Sequence, residues 1–178
     1  MSSFEADQLP TDLASMILET DAANPGISRL LSVLLSACRR IGTHMREGEY
    51  QSGAIGTQNA FGDHQLHVDV MTDELIFNAL KASGVVHVAA SEENPVEVEC
   101  GCSGPGFSLA FDPLDGSSII DANFAVGTII GIWPGRGLLG RTGDEQVASL
   151  MCQYGPKVTM ALALNRFSTV SGESIVTK

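Results

Sequence analysis

Three pairs of acidic residues stand out in the sequence because each pair lies at the predicted end of a helix or a strand. The pairs are Asp63 and Asp69, Glu92 and Glu93, and Asp112 and Asp115. In open α/β sheets, ligands bind in the loops beyond the strand ends, so the last two pairs are expected to share a site. If all these carboxylates converge, like charges within about 6 Å would force some of them to take up protons. A bound cation removes that cost, and the pattern therefore predicts a metal site.

The acidic octapeptide Phe-Asp-Pro-Leu-Asp-Gly-Ser-Ser, residues 111–118, carries donors for both a cation and a phosphate. Its ligands for a cation are carboxylate oxygens and the Leu114 carbonyl, which favours Mg²⁺, or alternatively Mn²⁺, over Zn²⁺. Gly116, Ser117 and Ser118 offer backbone N–H groups and hydroxyls to a phosphate, especially if they open a helical turn. An acidic protein can thus bind an anionic substrate when metals stand between them.

Each of these pieces has a simpler interpretation when it is taken alone. A Glu-Glu pair is usually a solvated loop, and Asp-Pro-Leu-Asp-Gly is usually a turn. Helical spacing would place Asp63 about 240° around the axis from Asp69, which favours a helix-capping role for Asp63. The octapeptide does not begin an EF-hand loop, because the twelfth position from Asp112 is Asn123. The combination of acids, a rigid turn and phosphate donors still favours a site.

Two other motifs predict less chemistry. The stretch Gly-Arg-Gly-Leu-Leu-Gly at residues 135–140 formally matches a dinucleotide-binding fingerprint. Gly143 interrupts the helix that this fingerprint needs, and no acid follows about 20 residues onward, so a surface turn is favoured. Cys100 and Cys102 lack a second ligand pair at zinc spacing, and a plain loop is favoured there over a redox switch.

The elements that must position these residues change from helical to strand periodicity along the chain. Helices are predicted over residues 11–19, 25–45 and 65–84, with Asn24 as the cap and Pro25 as the first residue of the second helix. Residues 48–62 contain four glycines and are predicted to form a loop. Strands are predicted over residues 85–90, 106–111, 125–133 and 157–164, with a further helix around residues 144–152. This order predicts a mixed α/β fold, with helices packed on a largely buried sheet.

Composition limits the functional classes that the chain can belong to. The 178 residues are 44% hydrophobic and carry a formal net charge of −11. We expect one domain over residues 1–178, with residues 166–178 as an irregular tail. The low pI of about 4.6 argues against nucleic acid binding, and the absence of a long apolar run argues against a membrane partner. Four cysteines without a secretion pattern favour a cytoplasmic location.

Taken together, these residues closely resemble the fructose-1,6-bisphosphatase and sedoheptulose-1,7-bisphosphatase family of sugar phosphatases. The resemblance extends over roughly residues 28–165, and it depends on Gly-Thr-Gln-Asn-Ala-Phe-Gly-Asp at residues 56–63, on the acids Asp69, Glu92 and Glu93, and on the octapeptide. Gly-Thr-Gln-Asn, Ile-Trp-Pro-Gly and Tyr-Gly-Pro-Lys are more similar to the sedoheptulose branch than to the fructose branch.

The resemblance implies the amino-terminal half of a layered helix-sheet sandwich, in a protein of roughly twice this length that forms a homo-oligomer. It implies hydrolysis of the 1-phosphate of a ketose bisphosphate with Mg²⁺, in a cytoplasmic protein or, if a transit peptide precedes this chain, a plastid one. The metal ligands that it implies are Asp63, Glu92, Asp112, the Leu114 carbonyl and Asp115.

The same resemblance implies that Asp69 and Glu93 orient and deprotonate the attacking water, while Ser117 and Ser118 donate to the phosphate. The substrate expected first is sedoheptulose 1,7-bisphosphate. Fructose 1,6-bisphosphate is the alternative substrate, and a non-catalytic module that binds metal or phosphate is the alternative function. The family's distal half carries a further acidic ligand and most contacts to the sugar, so this chain alone is expected to be inactive.

Overall fold

The computed structural model describes residues 11–48, 54–58 and 64–165 of the chain. The helices are α1 (Thr11–Ala23), α2 (Ile27–Glu47) and α3 (His67–Ser83), with short 3₁₀ helices at Ser117–Ala122 and Gly143–Glu145. The strands are β1 (Ala54–Gln58), β2 (His64–Leu66), β3 (Val86–Ser91), β4 (Val98–Glu99), β5 (Phe107–Asp115), β6 (Val126–Pro134), β7 (Ala148–Tyr154) and β8 (Val158–Leu164). Apart from β1 and β2, which lie between α2 and α3, the helices precede the strands as predicted.

The main sheet is mixed, with the strand order β4-β3-β5-β6-β7-β8. Strands β3 and β5 run parallel, and Ser91 at the end of β3 lies opposite Phe111. The other neighbouring strands of this sheet are antiparallel. Strands β1 and β2 form a separate antiparallel pair. The parallel pair matters for function because the carboxyl ends of parallel strands lie at the same edge of a sheet.

The three helices form a layer that packs on this sheet. Helix α3 contacts β3 and β5, α2 contacts β7, and α1 contacts β8. Fully buried side chains line the interface between the layers, among them Leu30, Leu34, Ile76, Leu109 and Ile132. This arrangement confirms the predicted mixed α/β class with long helices on a mixed sheet. In the part of the chain that the structure describes, no helix is long and apolar enough to span a bilayer.

The helix predicted around residues 144–152 is wrong. A 3₁₀ turn covers Gly143–Glu145, and strand β7 follows over Ala148–Tyr154. The side chains of Ala148, Leu150, Cys152 and Tyr154 are buried in alternation with more exposed ones, which is the two-residue period of a strand. This alternation along Ala148–Tyr154 fits a strand and not a helix.

The predicted start of α2 is also wrong, because Gly26 rather than Asn24 occupies the cap position. Asn24 instead ends α1, where its backbone N–H donates to Thr20 O at 2.8 Å. The cap is supplied by Asp21, whose Oδ1 accepts hydrogen bonds from the backbone N–H groups of Gly26 and Ser28 at 3.2 and 2.9 Å. A carboxylate from the preceding helix therefore does the work expected of the local asparagine.

Two further boundaries differ from the prediction or lie outside the described residues. The loop predicted over residues 48–62 contains strand β1, and its remaining residues 49–53 and 59–62 lie outside the described part of the chain. Strand β4 had no sequence signal, since it is only two residues long. The predicted tail at residues 166–178 also falls outside the described ranges.

Candidate active site

The parallel strand ends bring the first two acidic groups together. Glu92 directly follows β3, and its backbone N–H donates to Phe111 O at 3.1 Å, which places it beside Asp112. Burial raises the pKa of Asp112 to about 7, and the negative charges of Glu92 and Asp115 add to this rise. The carboxylates therefore lie close enough to repel one another, as the sequence pattern predicts.

The middle of the octapeptide is an irregular strand end and not the turn that its composition favours. Strand β5 continues to Asp115, with a register shift against β6 between Asp112 and Asp115. The Leu114 N–H donates to Asp112 Oδ1 at 3.0 Å, and the Leu114 side chain is buried. The fully buried Thr128 donates its hydroxyl to Pro113 O at 2.8 Å. These contacts fix the backbone between the two aspartates to the neighbouring strand.

Gly116, Ser117 and Ser118 open a helical turn, as their proposed phosphate role requires. Gly116 has a φ of 85°, and it precedes the 3₁₀ helix Ser117–Ala122. This left-handed conformation favours glycine, because in other residues the Cβ atom would crowd the backbone. The first N–H groups of a helix have no partner within the helix, so they are available to an anion.

Helix α3 contributes Asp69 to the same region. Its Oδ2 accepts a hydrogen bond from Leu66 N–H at 3.0 Å, and the side chain is buried. Burial raises the pKa of Asp69, whereas hydrogen bonds from the Leu66 N–H and the Ser117 hydroxyl lower it. Leu66 occupies the cap position that the sequence analysis assigned to Asp63. Asp63 itself lies outside the described residues.

These side chains line one cavity with a volume of about 490 Å³. Its lining residues are Leu66, Asp69, Glu92, Glu93, Asp112, Leu114, Asp115, Gly116, Ser117, Ser118 and Asp121. Apart from Asp63, every site residue of the sequence analysis thus lines this one cavity. Leu66 and Asp121 were missed. Asp121 could have been found from the sequence, since it lies about one turn after Ser117 if these residues form a helical turn.

The chemistry of the donors fits a hard divalent cation, although the donors are not gathered at one point. Every ionisable side chain of the cavity is a carboxylate, which is the ligand type that Mg²⁺ and Mn²⁺ prefer. Within the described residues, no three Asp, Glu, His or Cys side chains are close enough to form a complete metal-binding group. Glu92 and Asp115 add negative charge beside Asp112 in this cavity.

The competing motifs show no arrangement of this kind. Residues 135–140 form a loop without a helix after Gly135, so the dinucleotide interpretation fails as expected. Cys100 and Cys102 are free thiols, and the Cys102 carbonyl contacts the ring of His87 at 3.1 Å. Nothing in their surroundings pairs them with a second set of metal ligands among the described residues.

Comparison with known protein families gives a match over most of the chain. Residues 12–172 match the family described as Fructose-1-6-bisphosphatase, N-terminal domain. The chain belongs to this family. The match contains every element that the structure describes except the first residue of α1.

Individual relatives come from both branches of the family. The chloroplastic sedoheptulose-1,7-bisphosphatase of Triticum aestivum is 50% identical over 76% of this chain and 34% of its own length. The class 1 fructose-1,6-bisphosphatase of Geobacter metallireducens is 41% identical over 77% of this chain and 43% of its own length. This chain therefore spans less than half of the length of either enzyme.

A solved structure supports the fold independently of these sequences. A crystal structure from Toxoplasma gondii, provisionally assigned as a sedoheptulose-1,7-bisphosphatase, superposes with a TM-score of 0.74 at 35% sequence identity. The superposition covers 89% of this chain and 51% of that chain. The helix layer on a mixed sheet is therefore the architecture of this family's first half.

Proposed function

We propose that the protein containing this chain hydrolyses the 1-phosphate of a ketose bisphosphate, and that its substrate is sedoheptulose 1,7-bisphosphate. The observation that carries this proposal is the single cavity that joins Asp69, Glu93 and Asp112 to the helical turn at Ser117 and Ser118. It combines candidate bases with phosphate donors, as phosphomonoester hydrolysis requires.

The carboxylates suit a divalent cation as the cofactor, with Mg²⁺ or Mn²⁺ as the proposed ion. Glu92, Asp112 and Asp115 would hold it, together with the Leu114 carbonyl, and the family resemblance adds Asp63. When bound, such ions lower the pKa of water and neutralise the charge of the phosphoryl oxygens. The cation would also relieve the repulsion that raises the pKa of Asp112.

The protein's own residues would position the phosphate and accept the proton of the attacking water. The hydroxyls of Ser117 and Ser118, and the backbone N–H of Ser117 that follows Gly116, would donate hydrogen bonds to the phosphoryl oxygens. Asp69 is held by the Leu66 N–H, and its raised pKa makes it a better proton acceptor than an exposed aspartate. The water oxygen bonds to phosphorus in line with the leaving sugar oxygen, which departs with the bonding electron pair and takes up a proton from solvent. Asp69 and Glu93 would together hold that water in the orientation needed for attack.

The preference for sedoheptulose over fructose is supported by similarity alone. The wheat sedoheptulose enzyme is 50% identical to this chain, and the Geobacter fructose enzyme is 41% identical. Both relatives extend well beyond the part that this chain matches, and the missing length is where we expect the sugar to be selected. Fructose 1,6-bisphosphate is therefore the alternative substrate that the assay must include.

Phosphate release from three substrates tests the proposal. Sedoheptulose 1,7-bisphosphate, fructose 1,6-bisphosphate and an inositol monophosphate are compared with millimolar Mg²⁺ and with EDTA. We expect the first to be the best substrate, with no release in EDTA. Asp115→Asn should lower phosphate release by about 100-fold or more, because it removes a carboxylate ligand of the proposed cation that neutralises the phosphoryl oxygens.

The matched control is Asp144→Asn, which makes the same chemical change at an exposed aspartate outside the cavity. Full activity of Asp115→Asn with normal metal dependence would refute the ligand assignment. If the 178-residue polypeptide is made alone, we expect it to fold without releasing phosphate. A natural product of that size without activity would support the non-catalytic module instead.

A further inference from the structure

A buried carboxylate outside the cavity has no role in the reaction described above. Asp73 lies one helical turn after Asp69 in α3 and is only 5% exposed. Its Oδ2 accepts a hydrogen bond from Asn94 Nδ2 at 2.7 Å. Its Oδ1 is buried without a hydrogen-bond partner in the described part of the chain. Such an oxygen costs about 1–3 kcal/mol, so its presence calls for an explanation.

Asn94 closes the turn that carries the Glu92–Glu93 pair. Its backbone N–H donates to Ser91 Oγ at 2.9 Å. The Ser91 N–H in turn donates to Asn94 O at 2.9 Å. The two glutamates therefore lie inside a small turn that is tied at both ends, and the Asn94 side chain links this turn to α3.

The link has a geometric consequence for the cavity. Residues four apart on a helix are neighbours on one face, so Asp69 and Asp73 are joined by a rigid turn of α3. The turn after β3 is joined to the same helix through Asp73. Asp69 lies at one end of this bridge and the glutamate pair at the other, although they come from different elements.

Stability alone does not account for a polar pair at this position. Replacing both partners of a buried hydrogen bond by apolar groups of similar shape is often neutral or favourable, whereas the existing pair leaves one carboxylate oxygen unpaired. Burial raises the pKa of Asp73, and the neighbouring Ser91 hydroxyl and Asn94 amide oppose this rise. The directionality of the bond is what an apolar pair could not supply.

We propose that Asp73 and Asn94 are positioning residues whose hydrogen bond sets the separation between Asp69 and the Glu92–Glu93 turn. The inference rests on the proposed function, in which Asp69 and Glu93 orient the attacking water. A misplacement of about 1 Å at reacting groups can cost about 100-fold in rate. The bond therefore contributes to catalysis without touching the substrate.

The test exchanges the two side chains. Asn94→Asp removes the amide donor and places a second carboxylate against Asp73, so repulsion replaces the bond at a pH where both groups are ionised, which is where the variants are compared. The double variant Asp73→Asn/Asn94→Asp restores an amide–carboxylate bond in the opposite direction. We expect Asn94→Asp to lower kcat by about 10- to 100-fold with a smaller change in KM, which is the range found for groups that orient ligands. The double variant should recover kcat to within about 3-fold of the wild type.

The matched control is Asn78→Asp, which makes the same chemical change at an exposed position of α3. It should leave kcat, KM and the melting temperature unchanged. A purely structural role would lower the melting temperature of Asn94→Asp while leaving the kcat of the folded fraction unaltered. Wild-type kcat in Asn94→Asp, or a folded double variant without recovery, would overturn the inference.

A second measurement separates this inference from the proposed function. Crystal structures of the wild type, Asn94→Asp and the double variant give the distance between the Asp69 and Glu93 carboxyl carbons. We expect a change of about 1 Å in the single variant and its reversal in the double variant. If the wild type hydrolyses none of the substrates, the proposed function fails, and this distance still decides the positioning role. An unchanged distance in the single variant would refute it.

Discussion

Removal of the Thr128 hydroxyl tests whether the backbone of the octapeptide depends on one buried hydrogen bond. Thr128 is fully buried and donates to Pro113 O at 2.8 Å. Its hydroxyl also lies 2.8 Å from the Tyr154 hydroxyl. Thr128→Val keeps the shape of the side chain and leaves the Pro113 carbonyl without this donor.

The expected cost follows from which groups lose their partners. The Pro113 carbonyl becomes an unsatisfied buried acceptor, which costs about 1–3 kcal/mol. Tyr154 loses less, because the Cys38 thiol is a second neighbour of its hydroxyl. The added methyl of valine returns less than about 1 kcal/mol of apolar burial. We therefore expect Thr128→Val to lower the free energy of unfolding by about 2 kcal/mol.

Urea unfolding measures this cost, with Trp133 as the only tryptophan of the chain. A loss of about 2 kcal/mol corresponds to a decrease of about 4–8 °C in the melting temperature of a domain of this size. Thr128→Ser is the matched control, because it keeps the hydroxyl and loses only a methyl group, at about 1 kcal/mol. Phosphate release should fall in Thr128→Val more than in Thr128→Ser.

Comparison of the valine variant with the wild type can refute the reasoning. If Thr128→Val is as stable as the wild type or more stable, the hydrogen bond to Pro113 contributes nothing measurable. A double-mutant cycle with Tyr154→Phe isolates the bond between the two hydroxyls. We expect a coupling of about 0.5–1 kcal/mol, since the two groups are in direct contact.

Two further predictions concern charge and packing. The raised pKa of Asp112 means that the folded state binds its proton more tightly than the unfolded state, so stability is lost as the pH rises from about 4 to about 7. Urea unfolding in EDTA measures this effect between pH 5 and pH 8. Over this range the free energy of unfolding of the wild type should fall by about 1–2 kcal/mol more than that of Asp112→Asn, a value that already allows for solvent screening. Parallel pH profiles of the two proteins would contradict this prediction. In α2, a Cβ at Gly42 would lie 2.8 Å from Val158 Cγ2. Gly42→Ala should therefore cost about 1–2 kcal/mol by calorimetry instead of gaining helix stability, whereas Ser36→Ala at an exposed position should be neutral.

The sequence was sufficient to predict that Asp112 and Asp115 lie beside the phosphate donors, because these residues are close together in the chain, whereas Asp63 lies outside the described residues. The octapeptide places Asp112, Asp115 and the serines within a few residues of one another, so their proximity needs no knowledge of the fold. Glu92 could be added because strand ends in α/β sheets meet at a common edge. The structure then supplies the reason, which is the parallel pairing of β3 and β5.

The features that the sequence did not predict depend on contacts between distant segments. The segment of β7 was predicted to be helical from the sequence. Its strand conformation is stabilised by pairing with β6 and β8, which are separate segments of the chain. Asp21 replaces Asn24 as the cap of α2 because α1 ends beside it. The bond between Asp73 and Asn94 joins two residues that have no common motif, so periodicity could not reveal it.

Leu114 is part of the hydrophobic core and also lines the cavity. Local unfolding of the cavity wall would expose this leucine to water, and the lost apolar burial would cost about 1.5–3 kcal/mol of free energy. The wall is therefore expected to unfold together with the core, as one cooperative unit, and its amides should exchange with solvent at rates close to those of global opening. Loss of activity on heating would then coincide with the melting of the whole sheet.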